Sequence, residues 1–196
     1  MRKLLGSEPL VLASGSARRK DLLNESGLPF VVEVSAIDET PNLSERAEEL
    51  VQRLALEKAQ SIGKKFPRSW VIGADTIVCI NGEIFGKPVD KKDAERMLSI
   101  LQGTTHEVCS GIAVINVARQ KKIVELRRTK VTMDRLSQSE MERYVNSGEP
   151  MDKAGAYALQ GLGGHFVNDI QGSHSNVIGL DMCALFRILK SEGVIE

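Results

Sequence analysis

The sequence predicts an α/β fold, built as one domain or as two lobes sharing a cleft, and three observations carry that expectation. Short apolar runs that read as strands alternate with stretches of helical period. One run, Val71 to Ile80, is apolar on both faces, as a central strand should be. The length of 196 residues with 42% hydrophobic composition is enough to bury a real core.

Pro9 to Ala13 reads as a short buried strand, followed by Ser14, Gly15, Ser16, Ala17, Arg18 and Arg19 and then a helical pattern through Leu22 and Leu23 to a capping Gly27. A strand, a small-residue turn and a helix start form an anion cradle, because backbone N–H groups and the positive dipole end face the turn. Arg18 and Arg19 sharpen the point, since cations in a first helical turn oppose the dipole unless an anion lies between them. The alternative is an ordinary serine N-cap with two solvated arginines. Phe30 to Val34 reads as a second strand, leading to Asp38 and Glu39 in a polar loop closed by Pro41. Paired loop carboxylates are commonly just solvated, but they also suit a hard cation such as Mg2+.

Leu43 to Gly63 is the clearest long helix, with Ser44 as the expected N-cap and Gly63 as the stop. Ala47, Leu50, Val51, Leu54, Ala55 and Ile62 share one face, and Lys58 falls in the middle of that apolar stripe. Either it snorkels to the rim or it reaches across the core edge to a ligand phosphate.

Asp75 interrupts the central strand. A buried carboxylate without a partner is costly, so it neutralises, pairs or binds a cation. The other possibility is a strand-end aspartate capping a turn. Twelve residues on, Gly86, Lys87 and Pro88 supply a bend, a cation and a stop. Between them Asn81-Gly82 is a hairpin signal, and Asp90 caps a helix lined by Ala94, Met97, Leu98 and Leu101 and ended by Gly103. Two long strands follow, Thr105 to Val117 and Lys122 to Met133; then Ser137 and Glu140 make a capping box for a helix through Val145.

Pro150 to Gly179 holds six of the 17 glycines, a density that permits close backbone approach to a ligand. Lys153 adds a cation there, and the Gln160 amide complements the N3–H and O4 of uracil or thymine; a Gly-rich turn with a buried polar anchor is the competing reading. His165 and His174 lack ligand spacing and read as structural or rim residues. Asn176 to Leu189 reads as one closing apolar helix.

Lys plus Arg and Asp plus Glu are both 26, so the chain lacks the basic footprint of a nucleic-acid or anionic-membrane binder, and aromatics are only 4%. Cys79, Cys109 and Cys183 read as reduced core thiols without zinc spacing. No apolar signal core follows Met1 to Ser7, and no stretch approaches the ~18 apolar residues of a spanning helix, so a soluble intracellular protein is expected.

Taken in order, SGSARR, DET, LALEK, GADTIV, GKP and DKAGAYALQGLGG resemble the Maf family, nucleoside triphosphate pyrophosphatases once described as septum-formation inhibitors, from about Leu10 to Leu180. The resemblance implies a single catalytic domain over 1–196 in two lobes: a mixed sheet flanked by helices, related to the inosine triphosphatase group, with the site in the cleft between the lobes. It also implies homodimers, a cytoplasmic location, and neither nucleic acid nor membrane as a partner. It puts the proton acceptor at Asp75, phosphate-contacting or site-shaping roles at Ser14, Ser16, Arg18, Arg19, Lys58 and Lys87, and Mg2+, or Mn2+ in its place, at Glu39 and Asp75. GADT with KAGAYxxQG is similar to the dTTP and UTP branch, with Arg18, Thr76 and Gln160 in selectivity and Lys153 a further substrate contact. Ala17 stands where proline is usual, and Ser173-His174-Ser175-Asn176 replaces an aromatic-containing version.

The implied reaction is hydrolysis of the α-β phosphoanhydride, possible substrates including modified pyrimidine nucleotides. Such chemistry asks a protein mainly for positioning and for cations facing the oxygens that gain charge. A nucleotide-sensing regulator of cell division would use the same pocket without cleaving; two carboxylates at Asp75 and Glu39 favour catalysis.

Overall fold

A computed structural model describes residues 3–196. Seven strands form one hydrogen-bonded order, β2-β1-β3-β5-β6-β7 with β4 on β3: β1 (Leu10–Leu12), β2 (Phe30–Val32), β3 (Val71–Ile80), β4 (Glu83–Phe85), β5 (Thr105–Asn116), β6 (Lys121–Met133) and β7 (Val167–Gln171). The sheet is mixed: β1 runs parallel to both β2 and β3, whereas β3–β4 and β6–β7 are antiparallel. Six α-helices accompany them: α1 (Ala17–Glu25), α2 (Ala47–Gly63), α3 (Lys91–Leu101), α4 (Gln138–Asn146), α5 (His174–Ile178) and α6 (Met182–Ser191). The expected α/β class therefore holds.

The chain divides into two compact units. The first comprises residues up to Asp75 with Ser110–Arg127 and Gly179–Glu196; the second comprises Thr76–Cys109 and Arg128–Ile178. In the first, Val11, Val71, Ala113 and Ile115 of the strands, with Ala13 just past β1, pack on Ala55, Ala59 and Ile62 of α2. In the second, Val78, Phe85, Val108 and Met133 pack with Leu98 and Leu101 of α3, Tyr144 and Val145 of α4, and Tyr157. A fully buried Val, Leu or Ile contributes about 1.5–3 kcal/mol. A few such side chains offset the several kcal/mol that desolvating one ion pair costs.

The turn and cap signals are realised where their chemistry is local. Asn81 and Gly82 both take positive φ (51° and 83°), which the two-residue hairpin needs, and β3 pairs with β4 across them. Asp90 accepts the N–H of Asp93, and Ser137 that of Glu140, as N-caps do.

Three expectations are corrected. Helix α2 starts at Ala47, with Arg46 rather than Ser44 at its N-cap; Ser44 sits at φ 62°, inside a turn in which the Glu45 carboxylate accepts the Asn42 N–H, and Glu49 then accepts the Arg46 N–H. The C-terminal segment is two helices, because Gly179 turns the chain at φ 136° and Asp181 caps α6 afresh by accepting the N–H of Ala184. Nor is Cys183 a core thiol: it is exposed on α6, whereas Cys109 is buried and Cys79 partly so. Among the described residues no helix is long and apolar enough to cross a membrane.

Candidate active site

Two glycines set the geometry of the first unit's polar cluster. A Cβ on Gly73 of β3 would lie 2.1 Å from the Ala55 carbonyl oxygen of α2, and one on Gly111 of β5 would lie 2.0 Å from that of Val51. Only glycine lets the helix backbone sit this close to both strands. Residues two apart on a strand share a face, so Asp75 projects on the side where Gly73 meets α2. Lys58, one turn beyond Ala55, lies on the facing side of the helix. The two side chains meet: Lys58 Nζ donates to Asp75 Oδ1 at 2.7 Å, and both residues are buried, 6% and 7% exposed.

Lys58 Nζ also lies 2.9 Å from Oε2 of Glu39, whose side chain is half exposed. Neighbouring Asp38 accepts both the N–H and the hydroxyl of Thr40, which folds the loop and holds the Asp38 carboxyl below its usual range. Arg53 of α2 completes the anchor. Its guanidinium grips both oxygens of Glu45, at 2.7 and 2.8 Å, and donates to the Thr40 carbonyl at 3.2 Å. That fork draws the Glu45 carboxyl down to about 2. Thus α2 holds the Glu39 loop in position through Arg53 and touches Glu39 itself through Lys58.

At the start of α1, Ser16 is the N-cap residue, yet no side chain caps the helix and no acidic residue lies in its first turn. The Ser16 N–H instead turns back to Ser14 Oγ at 3.3 Å. Ser14 Oγ also accepts from Arg19 Nη1 at 3.0 Å, while Arg19 Nε donates to the Gly179 carbonyl at 2.8 Å. Arg19 is thus fixed from two sides. Burial lowers its pKa from the ordinary value; Asp75 opposes that shift, Arg18 adds to it and Glu39 opposes it. The same influences put Arg18, Arg19, Glu39 and Asp75 in one electrostatic neighbourhood with Lys58. Lys58 and Arg19 oppose Glu39 and Asp75, and Arg18 adds a third positive charge beside Arg19 at a helix N-terminus without a side-chain cap, an arrangement with positive charge to spare for an anion. The two carboxylates offer only hard oxygen donors, which fits Mg2+, and Lys58 shows that the spot between them already accommodates a cation.

Thr76, Lys87, Lys153 and Gln160 belong to the second unit. Thr76 is half-buried, Lys87 and Gln160 are exposed, and Lys153 binds the Asp152 carboxylate and, at 3.3 Å, the Glu149 carbonyl. The glycine-rich segment carrying Gln160 is pinned by Glu149, which accepts from Tyr144 Oη at 2.9 Å, Leu162 N at 3.0 Å and Gly163 N at 2.9 Å; Tyr144 Oη in turn accepts from Ala158 N. Burial, foremost, raises the Tyr144 pKa. Glu149 and Arg53 are the supporting residues that sequence reading missed. Glu149 precedes a proline in a segment without periodicity, and Arg53 reads simply as an i,i+4 partner of Glu57.

The family described as Maf-like protein matches residues 9–192. A dTTP/UTP pyrophosphatase of Myxococcus xanthus is 46% identical over 185 residues, 94% of this chain and 93% of that one. Proteins described in the same words from Halalkalibacterium halodurans and Desulfotalea psychrophila are each 44% identical, covering 95% and 96% of this chain and 97% of each relative. Among solved structures, the Staphylococcus aureus Ham1 protein matches with a TM-score of 0.47 at 17% identity, over 64% of this chain and 72% of that one.

Proposed function

Because the chain belongs to the Maf-like protein family, we propose that it is a nucleoside triphosphate pyrophosphatase that converts dTTP and UTP, and modified pyrimidine nucleotides of the same shape, to the monophosphate and pyrophosphate. The observation that carries this reading is the buried Lys58–Asp75 pair beside the uncapped start of α1. A carboxylate held at that depth, next to a place for phosphate, is suited to take a proton from water.

In the proposed reaction a water oxygen adds to the α-phosphorus, the bond from that phosphorus to the α-β bridging oxygen breaks, and pyrophosphate leaves with the bond electrons. Asp75 orients the water and accepts its proton. Arg18, Arg19, Lys58 and the N–H groups of α1 meet the charge that develops on the phosphate oxygens. Ser14 holds the Arg19 guanidinium in register, and Ser16 offers a hydroxyl in the turn. Glu39 and Asp75 would hold Mg2+, with Mn2+ a substitute; when bound, the ion neutralises phosphate charge and lowers the pKa of a coordinated water. Thr76, Lys87, Lys153 and Gln160 are proposed substrate contacts on sequence grounds, Gln160 for the pyrimidine edge. The same reading takes the protein as a cytoplasmic homodimer acting on free nucleotides.

The test is a panel of canonical and modified triphosphates incubated with purified protein and Mg2+, with both products identified. The expected result is dTMP or UMP with pyrophosphate, fastest from dTTP and UTP. Release of orthophosphate, or a preference for GTP, contradicts the reading.

A further inference from the structure

The second unit contains a group of side chains for which nucleotide hydrolysis has no use. Cys79 lies on β3; Glu107 and Cys109 lie two apart on β5, the neighbouring strand, and so share a face. Their donor atoms all lie within 4.8 Å of one another, and the two sulfurs are 3.6 Å apart. We propose that Cys79, Cys109 and Glu107 form a binding site for a single thiophilic divalent cation, with Zn2+ the best fit and water in the fourth position.

The geometry fits a metal ion. Tetrahedral Zn2+ with Zn–S bonds of about 2.3 Å sets two thiolates about 3.8 Å apart, close to the separation seen here. The carboxylate points the same way. A disulfide has no use for it, whereas a cation takes it as a third donor beside the two sulfurs. Access is available because Cys79 and Glu107 are only partly buried, while buried Cys109 supplies a rigid anchor. Binding deprotonates both thiols and releases those protons to solvent, so affinity rises with pH. A Cys2Glu set with one open position is a three-ligand site on two strands, unlike the hard-oxygen pair at Glu39 and Asp75. Sequence reading finds no zinc spacing because its ligands lie on different strands, 79 against 107 and 109.

The experiment uses the full chain in a Cys183→Ser background, which removes the exposed thiol. Co2+ is titrated into metal-free protein while the sulfur-to-cobalt charge-transfer absorption is followed, and Zn2+ is then added. The expected result is one Co2+ per chain with a two-thiolate band that Zn2+ abolishes. Cys79→Ser should halve the band at saturation or remove it, Glu107→Gln should weaken binding, and Zn2+ should raise the Tm of the background protein but not that of Cys79→Ser. Partly buried Cys79 is the primary variant because serine there is tolerated more easily than at Cys109. A band unchanged in Cys79→Ser overturns the site, as does absence of any sulfur-to-cobalt band in the background protein. It is likewise overturned if a hydroperoxide closes the Cys79–Cys109 disulfide as fast with Zn2+ as without.

Discussion

Lys58 touches the carboxylates of both Asp75 and Glu39, and its removal has a directional consequence. Without the ammonium, Asp75 loses its hydrogen-bond donor and Glu39 its ion-pair partner. Lys58→Met is therefore expected to lower turnover of dTTP by ~10-fold or more with the fold retained by circular dichroism; unchanged turnover would separate the ammonium from the proposed reaction. His106 gives a second residue-scale prediction. It is buried, bonds Tyr157 Oη at 2.7 Å, and burial depresses its pKa from 6.5 to about 4. The unfolded chain takes up the proton at the higher value, so the fold is fully stable above pH 6.5, loses stability as pH falls toward 4, and levels off below. The total is about 3 kcal/mol at ~1.4 kcal/mol per unit. Urea unfolding of wild type and His106→Gln across that window should show the steeper decline in wild type. Asp75 and Lys58 were legible in sequence because an ionisable group breaks an apolar period. The partners of Arg19 were not, since Ser14 and Gly179 flank it from near and far and only folding brings the latter within 2.8 Å.

At the scale of elements, the close seating of α2 on β3 and β5 is what delivers Lys58 to Asp75. Gly73→Val would drive side-chain atoms into the Ala55 carbonyl and the Ala59 backbone, which cannot yield without moving the helix. The expected cost is about 3 kcal/mol of unfolding free energy, read from a denaturant midpoint. Unchanged stability would mean that the helix is not held where the glycine puts it. Most elements could be read from the chain because period, caps and turns are local signals, as at Asn81-Gly82 and Asp90. The start of α2 was misplaced because Ser44 resembles a cap, while the real boundary depends on Glu45 being drawn to Arg53 eight residues on. The break after α5 was hidden inside an apolar run, where Gly179 and Asp181 end one helix and open another.

For the whole molecule, most of the strand and helix order was legible, except that β7 lay hidden in the glycine-rich segment and α5 and α6 read as one helix. Supporting contacts such as Glu149 to Leu162 and Gly163 were not, because they join a carboxylate to backbone groups that leave no mark in residue type. Substrate choice is a property of the whole molecule. Gln160→Ala is expected to lower the ratio of kcat/KM for UTP over GTP while leaving Lys58 and Asp75 untouched; an unaltered ratio would place base reading elsewhere. The central claim is that the buried Asp75 carboxylate performs the proton transfer. Its most direct test is pyrophosphate release from dTTP by wild type and Asp75→Asn, with matched circular dichroism spectra and a folded variant by thermal melt. The account predicts a loss of ~100-fold or more in kcat. Wild-type turnover by the folded asparagine variant would contradict it.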